Sequence, residues 1–152
     1  GVILGPGFPS QGSGTLFSTI KKGLSYYTLG TTAFIAIPDV INSMYRLMKS
    51  DCCNERFTLI AENLVFKDVF FTIADALKVK RPTRYASPLL TTIAWKIDAL
   101  LAFLSIKKRT FSRVTAKASH SAIPYSNQKI VSQLEPTFKN IKVYIQEIAP
   151  TF

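Results

Sequence analysis

A Tyr-x-x-x-Lys spacing occurs twice in this chain, at Tyr45 with Lys49 and at Tyr125 with Lys129. On a helix, residues four apart share a face, so such a Lys can lower the phenol's pKa and hold a cofactor ribose. Neither pair comes with a Ser/Thr partner or a cofactor loop, and in a chain with six Tyr and many Lys two matches lie within chance. The glycines invite a phosphate reading and then fail it. Gly12-Ser13-Gly14 gives half of a dinucleotide fingerprint, but Phe17 stands where the third Gly belongs, and no acidic residue follows in the place that holds a ribose. Gly7 to Gly12 has Walker spacing with Ser13 in the position of the essential Lys. Turn chemistry makes this segment a surface loop.

The remaining reactive side chains are sparse. His120 has no acidic residue within ten positions on either side and reads as a polar surface histidine. Asp39 could serve as a general base, but a first-turn Asp complementing a helix N-terminus is the more ordinary reading. The acidic residues do not pair as two-carboxylate chemistry requires. Cys52 and Cys53 are adjacent, so a bridge between them would be strained and close no useful loop, and a disulfide-stapled fold is excluded. No Cys/His spacing suggests zinc. We therefore expect no catalytic residue and no metal site in this chain.

Charge and hydropathy set the frame for these residues. The net charge is +10, with basic clusters at Lys78-Val79-Lys80-Arg81 plus Arg84 and from Lys107 to Arg113. Aromatics are not interleaved with them in sequence, and no nucleic-acid-binding signature is present, so no nucleic-acid partner is expected. With 47% hydrophobic and 18% charged residues, the chain can bury a core. Its 152 residues suit a single domain by length, since domains run about 50–250 residues. The first fourteen residues carry no positive n-region, and a reducing, cytoplasmic setting is expected. The longest apolar stretch, 86–106, approaches a membrane span and is followed by Lys107-Lys108-Arg109. Lys96 and Asp98 interrupt it, at roughly 2.5–3.5 kcal/mol each in a bilayer centre. Leu89, Leu90, Ile93, Ile97, Leu100, Leu101 and Leu104 form one helical stripe, read first as buried or surface-packed and alternatively as membrane-associated.

The elements that must position any site are short strands among helices, an α/β pattern. Val2–Leu4 reads as a buried strand running into a Gly/Pro loop over 5–14. Ala33–Ile37 is a second strand, and Pro38 opens a helix to about Lys49 with Val40, Ile41, Met44, Leu47 and Met48 on its apolar face. Arg56–Ala61 alternates as a third strand, and Asn63 is placed to cap a helix over 65–79. Ser87-Pro88 opens the long apolar helix. Shorter helices are predicted at 115–121, at 127–134 behind Ser126, and at 140–148. The strands look too few and too separated for a self-sufficient sheet, and Val2–Leu4 is expected to find its partners outside this chain.

The order of these segments resembles that of extended short-chain dehydrogenases/reductases. Gly1-Val2-Ile3-Leu4-Gly5-Pro6-Gly7 resembles the strand and loop after the family's catalytic Tyr/Lys pair. Gly30 to Val40 is similar to its later strand-then-helix segment, which usually holds a Val-x-Asp-Val run. Arg56 to Asn63 followed by Phe66-Lys67-Asp68 is similar to the next strand and helix, and Tyr125 to Ile130 to the late turn. The likeness spans nearly the whole chain and is nearest to epimerase/dehydratase and dihydroflavonol-reductase-like branches. It implies the mostly helical C-terminal portion of a Rossmann-type fold. Residues 1–152 would be the substrate-binding portion, inert alone, with the nucleotide-binding half and the working Tyr/Lys lying before Gly1. Gly1, Val2 and Ile3 would lie near the nicotinamide of NAD or NADP. Gly5, Pro6, Gly7 and Phe8 would line the substrate side, facing a nucleotide sugar or another carbinol or ketone. Pro38 departs from the Arg or acidic residue frequent there. The alternative is a basic membrane- or nucleic-acid-associating module, with peripheral membrane contact, or self-association through a bared apolar face.

Overall fold

The computed structural model describes residues 1–103 and 113–152, with side chains described outside 99–112. In chain order the elements are β1 (Val2–Leu4), α1 (Gly14–Lys21), β2 (Tyr26–Tyr27), β3 (Thr31–Ala36), α2 (Ile37–Met48), β4 (Glu62–Val65) and α3 (Phe66–Ala76). There follow β5 (Arg84–Tyr85), α4 (Pro88–Phe103), α5 (Arg113–Ala118), α6 (Gln128–Leu134), α7 (Ile141–Ile148) and a terminal 3-10 turn, Ala149–Thr151. The α/β reading holds.

Val2–Leu4 is not the orphan expected from sequence. It pairs in parallel with β3, Val2 opposite Phe34 and Leu4 opposite Ala36. β3 in turn pairs antiparallel with β4, giving a three-stranded sheet in the order β1-β3-β4. Among the described residues, the far edge of β1 has no strand beside it. A second, minimal sheet joins β2 and β5 in parallel.

The strand expected at Arg56–Ala61 lies instead at Glu62–Val65. Its polar residues are placed by tertiary work. Glu62 Oε1 accepts the Ile141 amide at 2.8 Å. Asn63, expected as a helix cap, sits in β4 and bonds both the amide and the carbonyl of Tyr125. The next helix starts without any side-chain cap. At α4 the expected cap is present, with the Leu90 amide donating to Ser87 Oγ.

The core lies on one side of the three-stranded sheet, where α1, α3 and α7 pack Phe17, Ile20, Val69, Ile73, Ile141 and Ile145 against Leu4 and Phe34. Each such side chain contributes roughly 1.5–3 kcal/mol on burial. The entry of α7 is pinned by three acceptors. Glu62 takes the Ile141 amide, Asn140 Oδ1 takes the Val143 amide, and Asp39 Oδ2, from α2, takes the Lys139 amide at 2.8 Å.

Tyr144 faces into this core, and burial is the main cause of its raised pKa, with the Lys139 charge working against it. The folded pKa thus exceeds the unfolded one. The stability linked to it is complete below the ordinary tyrosine range of about 10 and is lost as pH rises through the folded value. Tyr144→Phe is expected to flatten the alkaline limb of a urea-midpoint-against-pH profile and leave the neutral region's shape unchanged.

Two helices are inside out. α2 buries Asp39 and Ser43, and of the stripe expected to face inward Ile41 (61% exposed), Met44 and Met48 (84%) are open while Val40 and Leu47 are half-buried. α4 buries Thr91 and Asp98 and exposes Leu89 (71%), Leu90, Ile93 and Ile97. The side chains of Leu100 and Leu101, and all of Leu104 and Lys107–Arg109, lie outside the described residues. No described helix is long and apolar enough to cross a membrane.

The first basic cluster differs from its sequence reading. Folding brings rings under its cations, with Arg81 over Phe71 at 5.4 Å and Arg84 over Tyr26 at 6.0 Å. Arg81 also forms a bidentate pair with Asp75, whose hydrogen bonds from Arg81 hold that carboxyl below its ordinary range. The cluster is thus partly occupied by its own chain.

Candidate functional site

Because β1 and β3 are parallel and in register at Leu4 and Ala36, the chain leaves both strands at the same end. Gly5 and Ile37 therefore emerge side by side. A Cβ on Gly5 would sit 3.2 Å from the Ile37 side chain, so glycine permits this approach. Here an open groove of about 330 Å³ is lined by Ile3, Gly5, Pro6, Gly7, Phe8 and Ile37, with residues 11–14 closing one wall. In doubly wound α/β sheets, ligands bind beyond the carboxyl ends of the strands, which is where this groove lies.

The loop is held by its own backbone. Gln11 donates to the Phe8 carbonyl, Gly14 to Gln11, Thr15 to Gly12 and Leu16 to Ser13. These four amides are spent on turns within the loop and the start of α1. Gly14 is buried beneath Phe8, and a Cβ there would lie 2.3 Å from the Phe8 carbonyl oxygen. Phe8 itself is 75% exposed and has φ of 52°. A bulky residue held in the left-handed region and turned to solvent is strained, and such strain gathers at ligand sites. Phe8→Gly is expected to raise stability by about 0.5–1 kcal/mol, through relief of that φ, while removing the groove's one large ring. Chemical denaturation checks the sign.

The structure brings Ile3, Gly5, Pro6, Gly7 and Phe8 around one groove, but not Gly1 or Val2. Val2 is half-buried against the core, and Gly1 lies beside Ala33. None of the groove's lining side chains titrates. It can receive an apolar or aromatic moiety and offer backbone hydrogen bonds, and it supplies no acid or base.

The other candidates have structural tasks. Lys49 sits over the Tyr45 ring at 4.4 Å on the exposed end of α2, and Lys129 pairs with Glu55 at 2.9 Å rather than with Tyr125. Asp39 is committed to the Lys139 amide. His120 is half-buried rather than a plain surface histidine: its Nε2 is hydrogen-bonded to Thr91 Oγ1 at 2.9 Å, and its ring meets Tyr85 edge-on. Both cysteines are free thiols. Among the described residues, no three potential ligands gather as a metal site.

Sequence reasoning missed the surroundings of α5. Thr31 donates to the Ser121 carbonyl, so the segment after α5 lies along the start of β3. A cleft of about 420 Å³ opens between them, with Arg113 and Lys117 in its wall. A second, of about 620 Å³, lies between α4 and α5, with Trp95 and Lys96 facing the same two cations. The signal available was the i, i+4 spacing of Arg113 and Lys117, which places both on one helical face.

Comparison with solved structures places this architecture. The chain superposes over 99% of its length on 46% of gox2253, at 15% identity and a TM-score of 0.73. It covers 45% of a nucleoside-diphosphate-sugar epimerase from Pseudomonas aeruginosa at 18% identity and a TM-score of 0.73. It covers 41% of the UDP-glucuronic acid 4-epimerase from Bacillus cereus, solved with UDP-glucuronic acid and NAD, at 10% identity and a TM-score of 0.61. No family model and no curated protein sequence matches the chain. The fold is that of the C-terminal portion of extended short-chain dehydrogenases/reductases. The chain spans a little under half the length of the structures it matches.

Proposed function

We propose that this chain is the substrate-side portion of an NAD(P)-dependent oxidoreductase or nucleotide-sugar epimerase/dehydratase, working against a nucleotide-binding half that carries the catalytic Tyr/Lys. The observation that carries this reading is the pairing of a parallel strand open along one edge with the inside-out helix α2 beside it. Further parallel strands beside β1 would extend the sheet past the groove and cover Ile41, Met44 and Met48. The share of each matched structure that this chain spans leaves room for such a half.

A bound nicotinamide would accept hydride from, or return it to, a carbinol carbon. This chain would meet only its carboxamide end, through backbone groups in the Gly1-Val2-Ile3 segment that reach the open edge of β1. Ile3, Ile37 and Phe8 would exclude water from the reacting face, and Gly5, Pro6 and Gly7 would let the substrate approach the backbone. A nucleotide sugar suits the fold neighbours best. The test is an assay of the chain joined to its nucleotide-binding half, for NAD(P)-linked oxidation or epimerisation of a panel of nucleoside-diphosphate sugars and simple carbinols. Turnover that falls at least tenfold in kcat/KM with Phe8→Ala supports the reading. No turnover of any carbinol or ketone contradicts it.

A further inference from the structure

The second inside-out helix faces away from any role in the groove. Leu89, Ile93 and Ile97 are spaced four apart and, with Leu90, form a continuous exposed arc along α4. On the helical wheel Lys96 borders this arc, while the buried Thr91 and Asp98 lie opposite. Lys96 shares the cleft between α4 and α5 with Arg113 and Lys117, so the apolar arc is flanked on that side by three cations. The same cleft holds Trp95, the chain's one tryptophan. Between Asp98 and Glu135 the sequence has no acidic residue at all.

An apolar stripe with a basic margin is the design of a helix that lies in a membrane interface, while Trp95 sits on the face of α4 turned toward α5. We propose that α4 docks this chain on an anionic lipid surface, with Leu89, Ile93 and Ile97 entering the headgroup–acyl boundary and Lys96, Arg113 and Lys117 meeting lipid phosphates. Charge complementarity favours a bilayer over a second copy of this chain, whose equivalent margin would bring like charges together. Among the described residues no helix is long and apolar enough to cross a bilayer, and in this proposal α4 lies on the membrane. This assignment does not depend on the oxidoreductase reading.

The test is co-sedimentation with phosphatidylcholine vesicles, with and without phosphatidylserine. The expected result is pelleting with the serine-containing vesicles only, weakened by raised salt. The triple variant Lys96→Gln/Arg113→Gln/Lys117→Gln should lower partitioning on the order of a hundredfold. Ile93→Ser/Ile97→Ser should lower it similarly, while Ile41→Ser/Met48→Ser on α2 should not. Circular dichroism confirms that these exposed substitutions leave the fold intact. Four results overturn the proposal: no anionic-vesicle binding, binding that survives both α4 variants, concentration-dependent self-association without lipid that the α4 apolar variant abolishes, or binding to homopolymer RNA but not to vesicles.

Discussion

Gly14→Ala should destabilise the chain by roughly 3 kcal/mol or more, where Gly→Ala at an ordinary helix start stabilises by about 0.4–1 kcal/mol. The reversed sign follows from geometry. Gly14 opens α1 while lying directly under the turn that presents Phe8. An added Cβ would meet the Phe8 carbonyl oxygen at 2.3 Å and its carbon at 2.9 Å. Both are backbone atoms and cannot swing aside as a side chain would. Either α1 moves, pulling Phe17 out of the core and off its stack with Phe152, or the loop moves and the groove wall is lost. Gly12→Ala provides the contrast: it has φ of 52° and open space, so only backbone strain of about 1 kcal/mol is expected. Urea unfolding of the two variants should therefore separate by at least about 2 kcal/mol, with Gly14→Ala the weaker.

The second large effect concerns assembly rather than folding. Ile41→Asp/Met48→Asp should abolish cofactor-linked activity of the joined protein, by a hundredfold or more, while changing the isolated chain's stability by no more than about 0.5 kcal/mol. Both side chains already face water, so the chain alone loses no packing. Each would gain roughly 1.5–3 kcal/mol when covered by a partner surface. A carboxylate buried in its place carries a desolvation penalty of several kcal/mol. If the double variant keeps full activity, α2 is not the face that meets the nucleotide-binding half. A large drop in the isolated chain's own stability would show instead that α2 packs within this chain.

The contrast between α2 and α7 shows what could be read from sequence. In both, apolar spacing located a helix and its stripe correctly. In α7 the stripe is the core face, because α3 and β3 lie within the chain to receive it. In α2 the same kind of stripe points to solvent, because periodicity identifies a face and not what covers it. The β4 error has a related origin. Phe57 and Leu59 alternate with Arg56 and Thr58 as in a strand that ends apolar at Ile60, and Ala61 does donate to Phe34, but the ladder is made by Glu62–Val65. Glu62 and Asn63 look unsuited to a strand until their bonds to Ile141 and Tyr125 are seen. β2 and β5, two residues each, are too short to carry any period. For the groove, the Gly5–Phe8 turn was legible from its composition. The strained φ of Phe8 and the adjacency of Ile37 were not, since both depend on the β1–β3 register.

In the proposed reading this chain shapes a substrate groove and does not hold the cofactor by itself. Fluorescence titration of the isolated 152-residue chain with NADH and NADPH decides the point. The expected result is no saturable binding up to about 1 mM, because Phe17 and Ser13 stand where a dinucleotide or Walker loop needs Gly and Lys, and the open edge of β1 would meet only a carboxamide. Saturable micromolar binding of either nucleotide would contradict the account.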